Sequence, residues 1–588
     1  MATVVGAKIW TLWRRYERNV KVAERTGFYV VRARGKGKGA GKEEGEEEER
    51  GIVNHRNSFL TLRETYDNLG DTYVMAGTNE TLLRTTNAEL IAQLTTRKNA
   101  FVKPLNNYAI MKIFGTNILT TEGAEWRRHK RVVGPSFSER SCGLVWQVSL
   151  REVEGMMGLW ERREKEKSGE KIGERKVLRV EDTSVDTAIL SLHVICAAGF
   201  GVPQLWEGEK GEKDERNGMP DLSSSGGSEG NKVGFKDSLR SSPVERHQVV
   251  YAAFKATFGY LNELLEHKKT QMSTGEEDNE TMDLMGNMLR ASQESAPASE
   301  KSSSDAHLHE AEIISNAFIF LLAGHETSAN SIHFCFVLLA MRLSSQRLMQ
   351  SDIDAIVGDR PPSTWSYHTD MPRLYNSMVG AVVNEQIRLI PAAETVPKVT
   401  VGDQYVTVDG REVCIPDGTY IHLNTIGTNR NPKYYPHSPS KISGKPTDLD
   451  DFVPERWILE NTIETEPDEH QPGARTLYKP PKGAFISFSE GARVCPGKKF
   501  AITEITAVLA AVFKEWSVEL DVSEWASDEE VEGMGMEERE KVYERAKGRV
   551  REVLGRCNQA QIVLKMAKGD RVGLRFVRRG GERFGGVE

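Results

Sequence analysis

Phe485-Ile-Ser-Phe-Ser-Glu-Gly-Ala-Arg-Val-Cys-Pro-Gly-Lys-Lys-Phe500 is the stretch on which the reading of this 588-residue chain turns. It starts as a short apolar run, passes through a glycine-bearing turn to one cysteine, and leads into Phe500 to Trp516, apolar at helical spacing. Gly491 and Gly497 permit a tight backbone that approaches its neighbours closely. Backbone N–H groups in such a turn converge on the Cys495 sulfur, and the helix that follows begins there with its positive end. Both effects favour a thiolate over a thiol. A stabilised thiolate beside Arg493 is what a haem iron needs as an axial ligand, with the arginine left to pair a propionate. The plainer reading is a buried cysteine behind a strand.

Phe488, Gly491, Arg493, Cys495 and Gly497 together resemble the haem-binding signature of the cytochrome P450 family, Phe-x-x-Gly-x-Arg-x-Cys-x-Gly. Five fixed positions within ten residues make coincidence a poor explanation. Ser489 stands where many members of that family carry glycine. Cys495-Pro496 taken alone resembles instead the haem-regulatory motif of haem-sensing proteins.

Working outward, the longest strongly helical segment, 308–341, carries Ala323-Gly324-His325-Glu326-Thr327-Ser328 at its centre. Polar residues amid an apolar helix are costly unless they are paired or face water. Gly324 weakens the helix locally and Thr327 can bond a carbonyl one turn back, so the segment can open a groove for a water or small ligand. A core helix with a satisfied polar kink is the alternative. The stretch is similar to the family's Ala/Gly-Gly-x-Asp/Glu-Thr motif, which makes Glu326 and Thr327 the expected proton-guiding residues over the distal haem face.

Glu385 and Arg388 stand three apart on a helix expected from about Tyr375 to Leu389, and so share a face. Alone, such a pair reads as a surface ion pair. Phe452-Val-Pro-Glu-Arg456-Trp downstream resembles the family's Pro-Glu-Arg-Phe motif, which implies a buried structural triad of Glu385, Arg388 and Arg456. Trp126 and Lys130, four apart in Glu122-Gly-Ala-Glu-Trp-Arg-Arg-His-Lys-Arg131, project from one helical face. The family pattern there is Trp-x-x-x-Arg, directed at a haem propionate; this chain has Lys130, or has moved the role to Arg131. Lys398 similarly stands where the family often places a propionate-binding arginine. Lysine keeps the charge but loses the bidentate fork.

Composition bounds the rest. With 78 basic and 85 acidic residues the net charge is −7, which suggests neither nucleic acid nor a globally basic surface. Six cysteines (142, 196, 335, 414, 495, 557) are scattered without a CxxC pair, against a disulfide framework or zinc site. No run of eighteen apolar residues and no signal-peptide core is present. Residues 1–55 read as a basic amphipathic stretch followed by a low-complexity segment, expected to be disordered or to lie on a membrane surface. Family members from eukaryotes usually open with an apolar anchor and a proline-rich hinge, both missing here; the resemblance implies the endoplasmic reticulum membrane. Residues 56–588 are expected to form one haem domain, with charged or loop-like inserts near 207–245, 271–305 and 523–556. Short strands are expected at Thr72 to Met75 and Leu82 to Thr85, a helix at Ala88 to Thr96, strands over Val396 to Ile426, and a closing hairpin of 561–565 with 571–577.

The expected fold is therefore mainly α with small β-sheets, enclosing haem b between helix 308–341 and the Cys495 loop. The resemblance implies a haem-thiolate monooxygenase that inserts one atom of O2 into a small lipophilic substrate. No flavin or nicotinamide domain is seen, so electrons are expected from a separate NADPH-dependent flavoprotein, docked on Arg127, Arg128, Lys130, Arg131, Lys498 and Lys499. Two rivals stay open: a reductase-independent peroxygenase or isomerase of the same fold, and a non-enzymatic haem sensor or carrier.

Overall fold

The computed structural model describes residues 2–32, 58–168, 177–208, 245–274, 283–294, 307–459, 476–557 and 563–586. The low-complexity stretch at 34–51 and nearly all of the insert expected at 207–245 lie outside them. The longer helices are α1 (Ala2–Glu24), α2 (Ala88–Thr96), α3 (Gly123–Val133), α4 (Glu139–Ser168), α5 (Thr183–Phe200), α6 (Glu245–Thr274), α7 (Leu284–Glu294), α8 (Glu310–Met341), α9 (Leu343–Val357), α10 (Met378–Leu389), α11 (Lys498–Glu515) and α12 (Met536–Gly555). The expected class, mainly α with small β-sheets, is what the backbone adopts. It divides into two compact units: Met1–Pro104 with Ser149–Leu190 and Glu326–Glu588, and Leu105–Val148 with Ser191–His325.

All strands of the described residues lie in the first unit. Its largest sheet has the order β1-β2-β3-β9-β6-β4, formed by β1 (Tyr29–Arg32), β2 (Thr72–Ala76), β3 (Thr81–Thr85), β4 (Phe101–Val102), β6 (Thr395–Thr400) and β9 (Tyr420–Asn424). A three-stranded sheet sets β13 (Leu574–Arg578) between β12 (Trp516–Leu520) and β5 (Val177–Val180), while β7 (Gln404–Val408) pairs with β8 (Arg411–Ile415) and β10 (Ile458–Leu459) with β11 (Thr476–Leu477). Asp409 and Gly410 both have positive φ, 49° and 74°, the geometry of a two-residue hairpin turn.

Four differences from expectation have physical causes. First, the N-terminal stretch belongs to this unit: Tyr16, Val20 and Ala23 of α1 bury against Val74, Leu83, Leu90 and Ile421. Tyr29 to Arg32 then pair in parallel with Tyr73 to Ala76 of β2. Second, the segment expected as a loop at 271–305 contains α7, whose Leu284, Met285, Met288 and Leu289 are buried at helical spacing. Third, the helix expected from Tyr375 starts at Met378, where Ser377 accepts from the Val379 N–H as N-cap (3.2 Å). A Cβ at Gly380 would strike the Tyr375 carbonyl, so the glycine permits that corner. Fourth, both edges of β13 are taken by β12 and β5, where a closing hairpin with 561–565 was expected; residues 561–562 of that hairpin lie outside the described residues. The charged insert at 523–556 is helical, and α12 buries Tyr543, Ala546, Val550 and Val553 along one face.

Among the described residues one helix, α5, is long and apolar enough to cross a membrane by length and composition, and 67% of it is buried within the protein. Its Thr183, Ser184, Asp186, Thr187 and Ser191 interrupt the apolar run, which is why no such stretch stands out in the sequence.

Candidate functional site

In the first unit the Cys495 loop is held from both sides. The Cys495 N–H donates to the Phe488 carbonyl (2.8 Å), Ser489 N–H to Ile486 O (2.8 Å), and Ala501 N–H to Gly497 O (2.9 Å) as α11 begins. Gly491 has φ +69°, and a Cβ there would run into the Thr95 carbonyl at the end of α2. Ser489, where glycine would be the easy choice, also sits in the left-handed region at φ +58°. Cys495 is an exposed residue of this loop, although its sulfur is closely surrounded. Desolvation by the atoms packed round its sulfur pushes the thiol up, against N–H groups of Gly497 and Lys498 and the Lys498 charge, which favour the anion. The expected bias toward thiolate is thus present in the donors but outweighed by desolvation. Phe488 is half-buried, with Lys498 Nζ 5.7 Å from its ring centre, and Arg493 is half-buried in a short 3-10 turn, Gly491–Arg493.

Behind this loop the expected triad comes together. Arg388 grips Glu385 with two bonds, Nε to Oε2 at 2.7 Å and Nη2 to Oε1 at 2.8 Å, and both side chains are fully buried. Arg456 Nε reaches Glu385 Oε1 at 3.1 Å. Three further partners were not foreseen: the Trp457 indole N–H donates to Oε2 (2.9 Å), the Val453 N–H to Oε1 (3.0 Å), and Asp448 Oδ1 accepts from Arg456 Nη1 (3.1 Å). Trp457 directly follows Arg456 in sequence, and that adjacency was the available signal. Burial alone would raise the Glu385 pKa, but Arg388 and Arg456 hold it well below the usual carboxylate range. Arg388 Nη1 donates to the carbonyls of Asn429 and Leu449, each at 2.9 Å. Asn429 in turn donates to Arg388 O (3.1 Å) and Ser487 Oγ (2.9 Å), tying the triad to the run that leads into Cys495. Lys398 on β6 is buried, its ammonium 3.4 Å from the Phe101 carbonyl.

Helix α8 is continuous through Gly324, so the groove does not arise from a break. Its accessibility changes instead: Ile313 to Ala317 and Ser328 to Ala329 are buried, whereas Leu321 to Thr327 are half-buried or exposed. Side chains bond back along the helix, His325 Nδ1 to Leu321 O and Asn330 Nδ2 to Glu326 O, each at 2.7 Å. Glu326 Oε1 lies 3.9 Å from Lys565 Nζ. Thr327 is half-buried.

In the second unit α3 presents Trp126, buried, with the Lys130 ammonium 5.1 Å from its ring centre, as their spacing predicted. Arg128 is not free for docking. Its guanidinium pairs with Glu312 of α8 in two bonds (2.6 and 2.7 Å) and donates to His307 O (2.9 Å). Glu312 is held down at about 2 although burial opposes it, because Arg128 and the His309 N–H stabilise the anion. Ligand atoms of Glu125, His129 and Glu312 lie within 4.8 Å of one another. The surrounding hydrogen bonds assign them another role. Asn316 Oδ1 accepts from Ile118 N–H, so its amide N donates to His129 Nδ1 (3.0 Å), which puts the ring proton on Nε2, facing Glu312 Oε1 at 3.4 Å. This ion-pair cluster fixes α3 to α8. Glu312 and Asn316, four apart in an apolar helix, carried that signal in the sequence.

The chain matches the cytochrome P450 family over residues 51–544. It is 28% identical over 459 residues to "Cytochrome P450 monooxygenase 124" of Postia placenta, covering 74% of each chain. It is 24% identical over 444 residues to "Echinocystic acid 23-monooxygenase" of Saponaria officinalis, again 74% of each. A crystal structure of a cytochrome P450 superposes with a TM-score of 0.58 at 16% identity, covering 90% of this chain and 96% of that one.

Proposed function

Because the chain belongs to the cytochrome P450 family, the haem-thiolate monooxygenases, we propose that it binds haem b through Cys495 and inserts one oxygen atom of O2 into a small lipophilic organic substrate. The observation that carries this reading is the Cys495 loop: one cysteine on an exposed turn, N–H groups of Gly497 and Lys498 directed at its sulfur, and a backbone too close to Thr95 to admit a side chain at Gly491. A single soft donor with hydrogen-bonded support is the kind of group that would hold a haem iron. The raised thiol fits as well, since coordination itself removes the proton. When bound, haem supplies the oxygen chemistry, which thiolate ligation biases toward O–O cleavage.

The residues of this chain then divide the work. Phe488, Gly491, Arg493 and Gly497 shape the loop and, with Lys398, would hold the porphyrin and its propionates. Glu385, Arg388 and Arg456 keep the segment behind the loop in place. Thr327, in the accessible window of α8, would hold a water by its hydroxyl, and Glu326 would take a proton from solvent at a carboxylate oxygen and pass it to that water. Exposed Lys498 and Lys499 suit an acidic NADPH-dependent flavoprotein as electron donor. Trp10 and Trp13, 54% and 57% exposed on the basic helix α1, suit contact with a membrane surface, at the endoplasmic reticulum by family.

The test is the absorption spectrum of reduced, carbon monoxide-treated protein. A red-shifted Soret band in wild type that disappears in Cys495→Ser is expected. Retention of that band in the variant would assign the ligand to another cysteine, and its absence from folded, haem-loaded wild type would remove the reading.

A further inference from the structure

Lys565 has no part in the motifs that define the site, yet it is the cation that pairs with Glu326 among the described residues. Two anchors bring it there. The Leu564 N–H donates to the Ala392 carbonyl (2.9 Å), and Val563 and Leu564 are buried, so the backbone on one side of Lys565 is fixed. On the other side the Ala567–Asp570 turn is clamped to the end of α12 by Arg556, whose Nε and Nη2 each meet an Asp570 oxygen at 3.0 Å. The lysine and glutamate side chains are 39% and 31% exposed, so neither is locked by packing. At 3.9 Å the contact is too long for a direct hydrogen bond, and the attraction is that of two charges across a gap. Glu385, with five donors at 3.1 Å or less, cannot turn; Glu326, held by one distant ammonium, can.

We propose that Lys565 is a positioning residue for Glu326: its ammonium restrains the carboxylate in a resting orientation, and loosening of that contact frees Glu326 to carry protons. This rests on the monooxygenase reading for its consequence but not for the pairing itself. A proton taken up at Glu326 leaves again at the water it serves, so the carboxylate is unchanged over a cycle. Lys565 sets how readily it turns. The charge alone does this work, so arginine at 565 should serve and an isosteric apolar side chain should not.

Two measurements test it, neither needing a known substrate. The first is the acylation rate of the Lys565 amine by acetic anhydride, read by peptide mass spectrometry in both haem-free and haem-loaded protein. Glu326→Gln should raise that rate about threefold or more, with Lys541, paired to Glu537, unchanged as internal control. The second is NADPH oxidation without substrate, using purified cytochrome P450 reductase as donor. Lys565→Met should raise it about threefold, Lys565→Arg should restore the wild-type rate, and Lys565→Met combined with Glu326→Gln should fall to the level of Glu326→Gln alone. Equal acylation rates in wild type and Glu326→Gln, an unaltered oxidation rate in Lys565→Met, or failure of arginine to rescue would each overturn the proposal. Loss of the thiolate carbonyl band in wild type would instead remove the monooxygenase reading, and the acylation measurement would still decide the pairing.

Discussion

Two carboxylates of the first unit, Glu385 and Glu326, sit in opposite physical regimes. Glu385 is sealed from water and receives five hydrogen bonds, two of them from one guanidinium. Glu326 is partly exposed and meets one ammonium at 3.9 Å. The first arrangement fixes a backbone, since any movement would strand a buried charge. The second leaves a carboxylate that its one partner and its packing do not fix in place. On the proposed reading, scaffold and working site differ in how completely their charges are satisfied.

The largest effect that would break this contrast comes from Arg388→Ala. Removing one partner of a buried pair costs about 3–5 kcal/mol, so the variant should fail to accumulate as folded, haem-competent protein. Wild-type thermal stability and haem content in Arg388→Ala would show that Glu385 is as loosely held as Glu326.

Acid titration gives the next largest. The folded-state pKa of Glu385 is depressed below its unfolded value, so its stabilisation is complete above about pH 4.5, the ordinary glutamate value, and is lost as pH falls toward the depressed one. Glu312, held at about 2 by Arg128, adds to the loss in the same window. Stability measured by urea unfolding should therefore fall steeply below about pH 4.5. A flat profile down to pH 3 would mean these carboxylates gain nothing from their partners.

Ser489→Gly should be milder and of opposite sign. An L-residue in the left-handed region costs about 1–2 kcal/mol, partly offset by the greater freedom of glycine in the unfolded chain. A gain of about 1 kcal/mol, read as a rise in Tm, is expected. A loss would mean that the serine side chain earns its place by contacts stronger than the strain.

Thr327→Ala should be the smallest in stability and the sharpest in chemistry. Surface-like substitutions shift stability by about 0.5 kcal/mol or less. Peroxide released per NADPH consumed should rise at least about twofold, because a proton relay without its hydroxyl delivers to the wrong oxygen. An unchanged ratio would make Thr327 part of the scaffold.

The sequence made the Cys495 loop and the members of the triad legible because each is carried by a short, ordered pattern. What it did not reveal depends on distance along the chain. Arg128 looked free in its basic helix, and its partner Glu312 lies 184 residues away. Tyr29 to Arg32 carry no hairpin signal because they pair in parallel with β2 across the low-complexity stretch. Helix α7 was hidden by the polar residues on either side of its apolar face. The thiol of Cys495 was misjudged for another reason: donors can be read from a turn motif, but the density of atoms round a sulfur cannot.

The three-stranded sheet has a consequence in time. Its central strand, β13, begins 394 residues after its neighbour β5 ends (Val180 to Leu574). At about 5–20 residues per second, β5 waits roughly 20–80 s on the ribosome before the strand it must pair with exists. β12, emerging earlier, cannot substitute, because both flank β13 and do not touch each other. For most of that interval β5 waits alone, and once β12 emerges two strands wait with unpaired edges, the feature most prone to wrong partners, which the cell must shield until the last strand arrives.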